Sequence, residues 1–146
     1  MLAKSQKSDI VNVVRWSFHD YVEGGQNPIQ NWYDNELSDA GRFGFDALLK
    51  DRAKTVNHLE WGIKPLQGEA KKLHVWELKF IADGKQYRIL GVFRAAKQAV
   101  LLIGCYHKGK VYSPPNALDT AIERAKALRD KKSGVGTSER KIKFDR

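Results

Sequence analysis

The sequence predicts an α+β fold in which a mostly antiparallel sheet, in the order β-α-α-β-β-β-α, carries helices packed on one face. Three observations lead there. The chain has 146 residues and 42% hydrophobic content, one domain's length with enough apolar material for a core. Apolar residues recur at helical spacing between Ile29 and Leu49 and again between Leu118 and Leu128. Between Leu73 and Tyr106 they alternate instead, as strands with one buried face require.

Met1 to Asp9 is polar and uncapped and reads as a flexible N-terminus, after which the β-branched run from Ile10 to Trp16 predicts a first strand. Asn27 before Pro28 signals a helix start, since Asn can cap free N–H groups and Pro is tolerated in the first turn; Ile29, Trp32, Tyr33 and Leu37 supply the apolar stripe. Ser38 or Asp39 can cap a second helix reaching about Lys54, with Phe43, Ala47, Leu48 and Leu49 as its buried side. Three strands follow as a meander, Leu73 to Ile81, Gln86 to Arg94 and Gln98 to Tyr106, separated by Asp83-Gly84 and Ala95-Ala96-Lys97. Trp76, Leu78 and Phe80 share one face with Tyr87, Ile89 and Phe93; Glu77, Lys79, Arg88, Leu90, Val92 and Arg94 fall on the other. The third strand is apolar on both sides, so its second face must be partly covered. Asn116, after Pro114-Pro115, opens a last amphipathic helix through Leu118, Ile122, Ala125 and Leu128. These boundaries give a single domain over residues 10–132, a flexible segment over 1–9, and a basic flexible tail over 133–146 that begins Ser133-Gly134-Val135-Gly136.

The charge is uneven. Residues 1–60 hold seven basic and nine acidic side chains, and residues 61–146 hold nineteen and eight, so the whole excess of +9 lies in the C-terminal part. Such a field attracts a polyanion: RNA, DNA or an acidic protein segment. The longest apolar run, Ala99 to Cys105, is far below the roughly 18 residues of a membrane span, and no secretory h-region is present, so a soluble cytoplasmic protein with no membrane partner is expected. One cysteine and four scattered histidines make neither an internal disulfide nor a zinc-ligand spacing, and no metal or other cofactor is expected. The glycine-rich nucleotide, P-loop, HExxH and GxSxG patterns are absent.

The charged sheet face is the remaining place for chemistry. It carries Lys79 and Arg88, with Arg94 farther along and Tyr106-His107-Lys108 at the end of the third strand. A metal-free ribonuclease needs a base for the 2'-hydroxyl, an acid for the leaving 5'-oxygen, and cations for the phosphorane-like transition state, and Lys, Arg, His and Tyr can supply all three.

Read in order, Ile63-Lys64-Pro65-Leu66, Trp76-Glu77-Leu78-Lys79-Phe80, Tyr87-Arg88-Ile89-Leu90, Val100-Leu101-Leu102-Ile103 and Tyr106-His107-Lys108 before a Pro-Pro-led helix resemble the RelE/HigB-like toxins of bacterial type II toxin-antitoxin systems, in particular their phage-derived HigB-like branch. The resemblance covers roughly residues 10–132. It implies the small RelE-like fold and an endonuclease that cuts messenger RNA, in many relatives on the ribosome, neutralised by a cognate antitoxin of helix-turn-helix type. Carried over residue by residue, it makes Lys79, Arg88 and Lys108 catalytic candidates, and the chemistry of the residues themselves adds His107. Arg88 matches the phosphate-binding arginine of the second meander strand, Lys79 a basic residue of the strand before it, and Lys108 a position near the family's general acid; His107 could supply a proton. Lys64, Arg94, Tyr106, Lys110 and Tyr112 are the candidates for holding substrate. Glu77 stands where some ribonuclease relatives carry a second lysine, and Lys108 where arginine is common, so a ParE-like inhibitor of DNA gyrase and a phage-derived relative without cleavage activity remain as alternatives.

Overall fold

The structure, a computed structural model, describes residues 15–142. Residues 10–14 of the expected first strand and the expected flexible N-terminus over 1–9 lie outside the described residues. The strand observed is β1, Ser17–Glu23. Helix α1, Pro28–Glu36, begins as the sequence signals, with Pro28 in its first turn and the Asn27 side chain accepting from the Gln30 N–H at 2.9 Å. Helix α2, Asp39–Ala53, is capped by Ser38, which accepts from the Gly41 N–H at 3.1 Å. A 3-10 turn over His58–Trp61 and a short helix α3, Gly68–Lys72, come before the meander of β2 (Trp76–Ala82), β3 (Lys85–Arg94) and β4 (Gln98–Lys108). Strand β5, Val111–Ser113, folds back on the end of β4; α4, Ala117–Arg129, and β6, Val135–Arg140, complete the fold.

The sheet order is β2-β3-β4-β1-β6, with β5 paired to β4 outside that path. One edge of the long β4 is antiparallel to β3 throughout. Its other edge is shared: residues 98–101 run parallel to β1, and residues 106–108 pair with β5. The sheet is therefore mixed, with one parallel pair created when β4 crosses back beside β1.

The helices lie on both faces, not on one as expected. Trp32 of α1 and Phe45, Leu48 and Leu49 of α2 pack with Phe18, Trp61, Trp76, Leu78, Ile89 and Leu101 in one cluster. Ala70 of α3 and Ala121, Ile122 and Ala125 of α4 pack with Tyr21, Leu90, Val92, Val100 and Leu102 in a second. The physical reason lies in β4, whose Val100-Leu101-Leu102 run is fully buried on both sides and needs a layer above and below. A register shift beside Leu90/Gly91 sets Leu102 and Ile103 side by side in the second cluster.

The expected flexible tail is corrected over residues 135–140, which form β6 antiparallel to β1. Its glycines and polar residues resemble a linker locally, yet Arg140 donates from Nε to Asp20 at 2.9 Å and from its terminal nitrogen to Gln30 at 2.7 Å. Asn27 donates to the other Asp20 oxygen at 3.0 Å, so this buried carboxylate ties the last strand to β1 and to the entry of α1.

Candidate functional site

The meander register builds the site. Lys79 of β2, Arg88 of β3 and Cys105 of β4 form one cross-strand row; Ile81, Gln86, His107 and Tyr112 of β5 form the next. Alternation puts both rows on the face that also holds α3 and α4, with Glu77 two residues before Lys79 on that face. The structure thus brings Lys79, Arg88, His107 and Tyr112 together, and Lys64 joins them where its N–H bonds the Glu77 carbonyl at 3.1 Å.

Arg88 and Glu77 are a buried pair, not the solvated cross-strand pair that two charges on a sheet face would make by default. Their side chains are 9% and 1% exposed, with Arg88 Nε 3.5 Å from Glu77 Oε1. Arg88 donates from its other nitrogens to the Tyr87 carbonyl at 3.0 Å and the Gln86 side chain at 3.2 Å. Its Nε–H has no hydrogen-bond acceptor. The Tyr112 hydroxyl donates to Glu77 Oε2 at 2.5 Å. Burial, and then that bond to a carboxylate, hold the Tyr112 hydroxyl well above the ordinary phenol range, so it stays protonated and stays a donor.

His107 is half-buried, and its ring meets that of Tyr112 edge to face at 4.9 Å. Burial, then the Arg88 guanidinium and Lys64, push its pKa below 6.5 against an opposing pull from Glu77. At neutral pH the imidazole is mostly uncharged, so it is suited to taking a proton, whereas the sequence reading has it supply one. Cys105 is buried beside the pair; burial, and then Glu77, push its thiol up to about 12, which removes it as a nucleophile near neutrality.

The other candidates lie elsewhere. Tyr106 and Lys108 flank His107 on β4, and alternation turns both to the opposite face, where Tyr106 packs with the first cluster and meets Tyr87 at 6.2 Å. Lys110 is exposed in the turn between β4 and β5. Arg94 shares the face of Arg88 but sits six residues farther along β3, roughly 20 Å away at about 3.4 Å per residue. Glu77, Gln86 and Cys105, which the sequence does not mark as site residues, are the inner partners of Arg88. For Gln86 and Cys105 a signal exists, since both fall on the Arg88 face once the strands are aligned. Among the described residues no group of three or more His, Cys, Asp or Glu side chains could hold a metal ion, and no helix is long and apolar enough to cross a membrane.

A family model described as "Phage derived protein Gp49-like (DUF891)" matches residues 50–126, just over half of the chain and the whole stretch that builds the two rows. No curated protein and no solved structure matches.

Proposed function

This chain belongs to the Gp49-like family of phage-derived proteins, and from that premise we propose that it is the toxin of a toxin-antitoxin pair, a metal-independent endonuclease of messenger RNA neutralised by a cognate antitoxin. The family's toxin-like character, related to RelE and HigB, supports the first part. The observation that carries the second is the placement of the half-buried His107 by the sheet register on one face with Lys79 and Arg88, with the Lys64 loop bridged to β2 beside them. Such a group performs the steps that strand scission needs. His107 takes the 2'-hydroxyl proton as that oxygen attacks phosphorus, the cations offset the charge growing on the phosphorane oxygens, and the Lys79 ammonium returns a proton to the departing 5'-oxygen. Lys108, turned to the opposite face, takes no part in this scheme.

Inducing the chain alone, beside a His107→Ala version, tests the reading. Growth arrest with fragmented messenger RNA is expected from the parent, with cuts in codon phase if the ribosome presents the message. The variant, folded as judged by circular dichroism, should cut 100- to 10,000-fold more slowly, roughly the usual range for a lost general base. Cleavage by the parent should rise with pH through a His107 pKa held below its ordinary value by burial and then level off, because only the uncharged ring accepts the proton. Arrest with intact RNA, or full cleavage by His107→Ala, overturns the assignment; arrest with intact RNA and blocked supercoiling would redirect it to gyrase.

One observation favours a second reading, a relative that keeps the fold and antitoxin binding without cleavage. Arg88, the phosphate-binding candidate, is turned inward and held by Glu77, Tyr87 and Gln86. Absence of both arrest and RNA cleavage would select it.

A further inference from the structure

Strand β6 ends the sheet on the side away from the Arg88 row, and its outer edge carries none of the devices that keep an edge from pairing with another chain. Those devices are short length, lysines, prolines, bulges and covering loops. The opposite outer strand, β2, is crossed by the Lys64 loop at Glu77 and presents the exposed Lys79. Strand β5 is three residues long and runs into Pro114. By contrast Val135–Arg140 pairs with β1 over all 6 residues without a bulge or a proline. Its basic side chain, Arg140, is turned inward to Asp20.

The pairing with β1 decides which backbone groups of β6 face outward. In an antiparallel ladder the N–H and C=O of one residue point to the same neighbour, and successive residues point opposite ways. Just outside the ladder the Gly24 N–H bonds the opposing Gly134 carbonyl at 2.9 Å. Counting by twos from that pair turns the groups of Gly136, Ser138 and Arg140 toward β1 and those of Val135, Thr137 and Glu139 away from it. The Val135 N–H agrees, since it bonds the Lys132 carbonyl at 3.1 Å, outside the ladder. The Val135 carbonyl and both backbone groups of Thr137 and Glu139 have no partner among the described residues.

The geometry points to β6 as the seam of a symmetric dimer, in which a second copy of this chain adds its own β6 antiparallel to this one. The symmetry of the open groups selects that occupant, because they are self-complementary about Thr137. With a two-fold axis through this residue, perpendicular to the sheet, Thr137 exchanges both its bonds with Thr137 of the second copy, and each Glu139 N–H meets the Val135 carbonyl across the seam. The Glu139 carbonyl is left to water, because the Val135 N–H is already taken. Side chains agree with this register. Val135 packs against the second cluster, so Thr137 and Glu139 share the α4 face. There Thr137 meets its counterpart, a favourable cross-strand pair, while Gly136 meets Ser138 on the other face with nothing bulky between them. Glu139 is exposed and makes no salt bridge among the described residues. The register sets it opposite Val135 of the second copy, beside the turn that carries the exposed Lys131 and Lys132, and symmetry repeats that opposition of charge at the other end. The seam is small beside a standard interface of about 1,200 to 2,000 Å², which places it in the weak, concentration-dependent class.

Sedimentation velocity of the full chain, from micromolar to millimolar, reads the state directly. The average mass should move from one chain toward two as concentration rises. Thr137→Pro removes an outward N–H that β1 does not use, at an edge position where proline is tolerated, and should stay a single chain throughout with an unchanged far-UV circular dichroism spectrum. Thr137→Lys gives the same readout with the backbone donor intact, since it sets like charges directly opposite each other in the dimer alone. Oxidation then maps the register. In Thr137→Cys the two substituted positions face each other at a Cα separation of about 5.5 Å, within disulfide reach, and should link two copies. In Glu139→Cys they stand about 13 Å apart along the seam and should not; the native Cys105 is buried in both. A parent that stays a single chain over the whole range overturns the seam. So does a folded Thr137→Lys variant that associates as the parent does, or a Glu139→Cys variant that links as readily as Thr137→Cys.

Discussion

Replacing Arg88 by Met removes the cation and keeps most of the volume, leaving the Glu77 carboxylate 2% exposed with the Tyr112 hydroxyl as its remaining side-chain donor. At 3.5 Å the pair attracts by about 5 kcal/mol at an effective dielectric of about 20. Breaking a buried pair by removing one member costs about 3 to 5 kcal/mol. The retained Tyr112 bond places this case at the lower end, near 3 kcal/mol, a large part of the roughly 5 to 15 kcal/mol that holds a domain folded. For a chain of this length that is a fall of roughly 10 °C in Tm. Arg88→Met/Glu77→Gln, which leaves a neutral amide for Tyr112 to bond, should come back to within about 1 kcal/mol of the parent, because both desolvated charges are gone.

Urea unfolding followed by tryptophan fluorescence measures this directly, since all four tryptophans are buried in the first cluster and report its opening. A single variant within about 1 kcal/mol of the parent would falsify the buried-pair account, and so would a double variant no more stable than the single one. The result also governs how the proposed activity is tested. Loss of activity in an Arg88 variant does not separate chemistry from folding, whereas His107 and Lys79 sit nearer the surface and can be changed without stranding a buried charge.

Three further outcomes follow from the same geometry. The Cys105 thiol, raised to about 12, should resist a thiol reagent at pH 8 in the folded protein and react fully in urea; rapid reaction of the folded chain would show that the row beside Arg88 is open to solvent. Gly104→Ala should cost at least about 3 kcal/mol by thermal melting, beyond usual overpacking, because a Cβ there would stand 2.3 Å from the Trp32 ring; a neutral effect would mean that α1 does not lie over β4 as described. Arg140→Ala should lose about 3 kcal/mol, the lower end of the range for a broken buried pair because Asn27 still donates to the Asp20 carboxylate, with fast amide exchange along β6 as its local signature; unchanged stability would restore the view of this segment as a loose end.

Elements whose signals are local can be read from the sequence alone. Asn27-Pro28 and Ser38 cap the helices they announce, and the alternation from Trp76 to Phe93 sorts the two faces of β2 and β3 as observed. What depends on distant partners cannot. Strand β6 is held to β1 by a pairing that spans most of the chain and by the Arg140–Asp20 contact, while its own residues, in which Gly136 sits among polar neighbours, carry no strong strand preference. Helix α3 has five residues, too few for a hydrophobic period to emerge. The isolated Gly91 and Gly104 do carry a readable sign, since glycine inside a strand marks a close approach, here of Trp76 and Trp32.

The candidate site divides along the same line. Grouping Tyr106, His107 and Lys108 as one functional end sets aside the alternation that sorts β2 and β3 correctly; applied to β4, it isolates His107 and turns its neighbours away. The burial of Arg88 is beyond sequence reasoning, because the cover comes from Tyr112 on a three-residue strand that folds back and from the Lys64 loop bridged to β2. That cover changes the roles. With Arg88 held inward, the exposed charge on this face comes from Lys64 and Lys79, and the guanidinium adds to burial in lowering the His107 pKa against the pull of Glu77. Glu77, which as a sequence departure argues against catalysis, is then the residue that keeps Arg88 folded inward. A chemistry on this face would run on a histidine lowered chiefly by its burial, with exposed lysines to receive the phosphate.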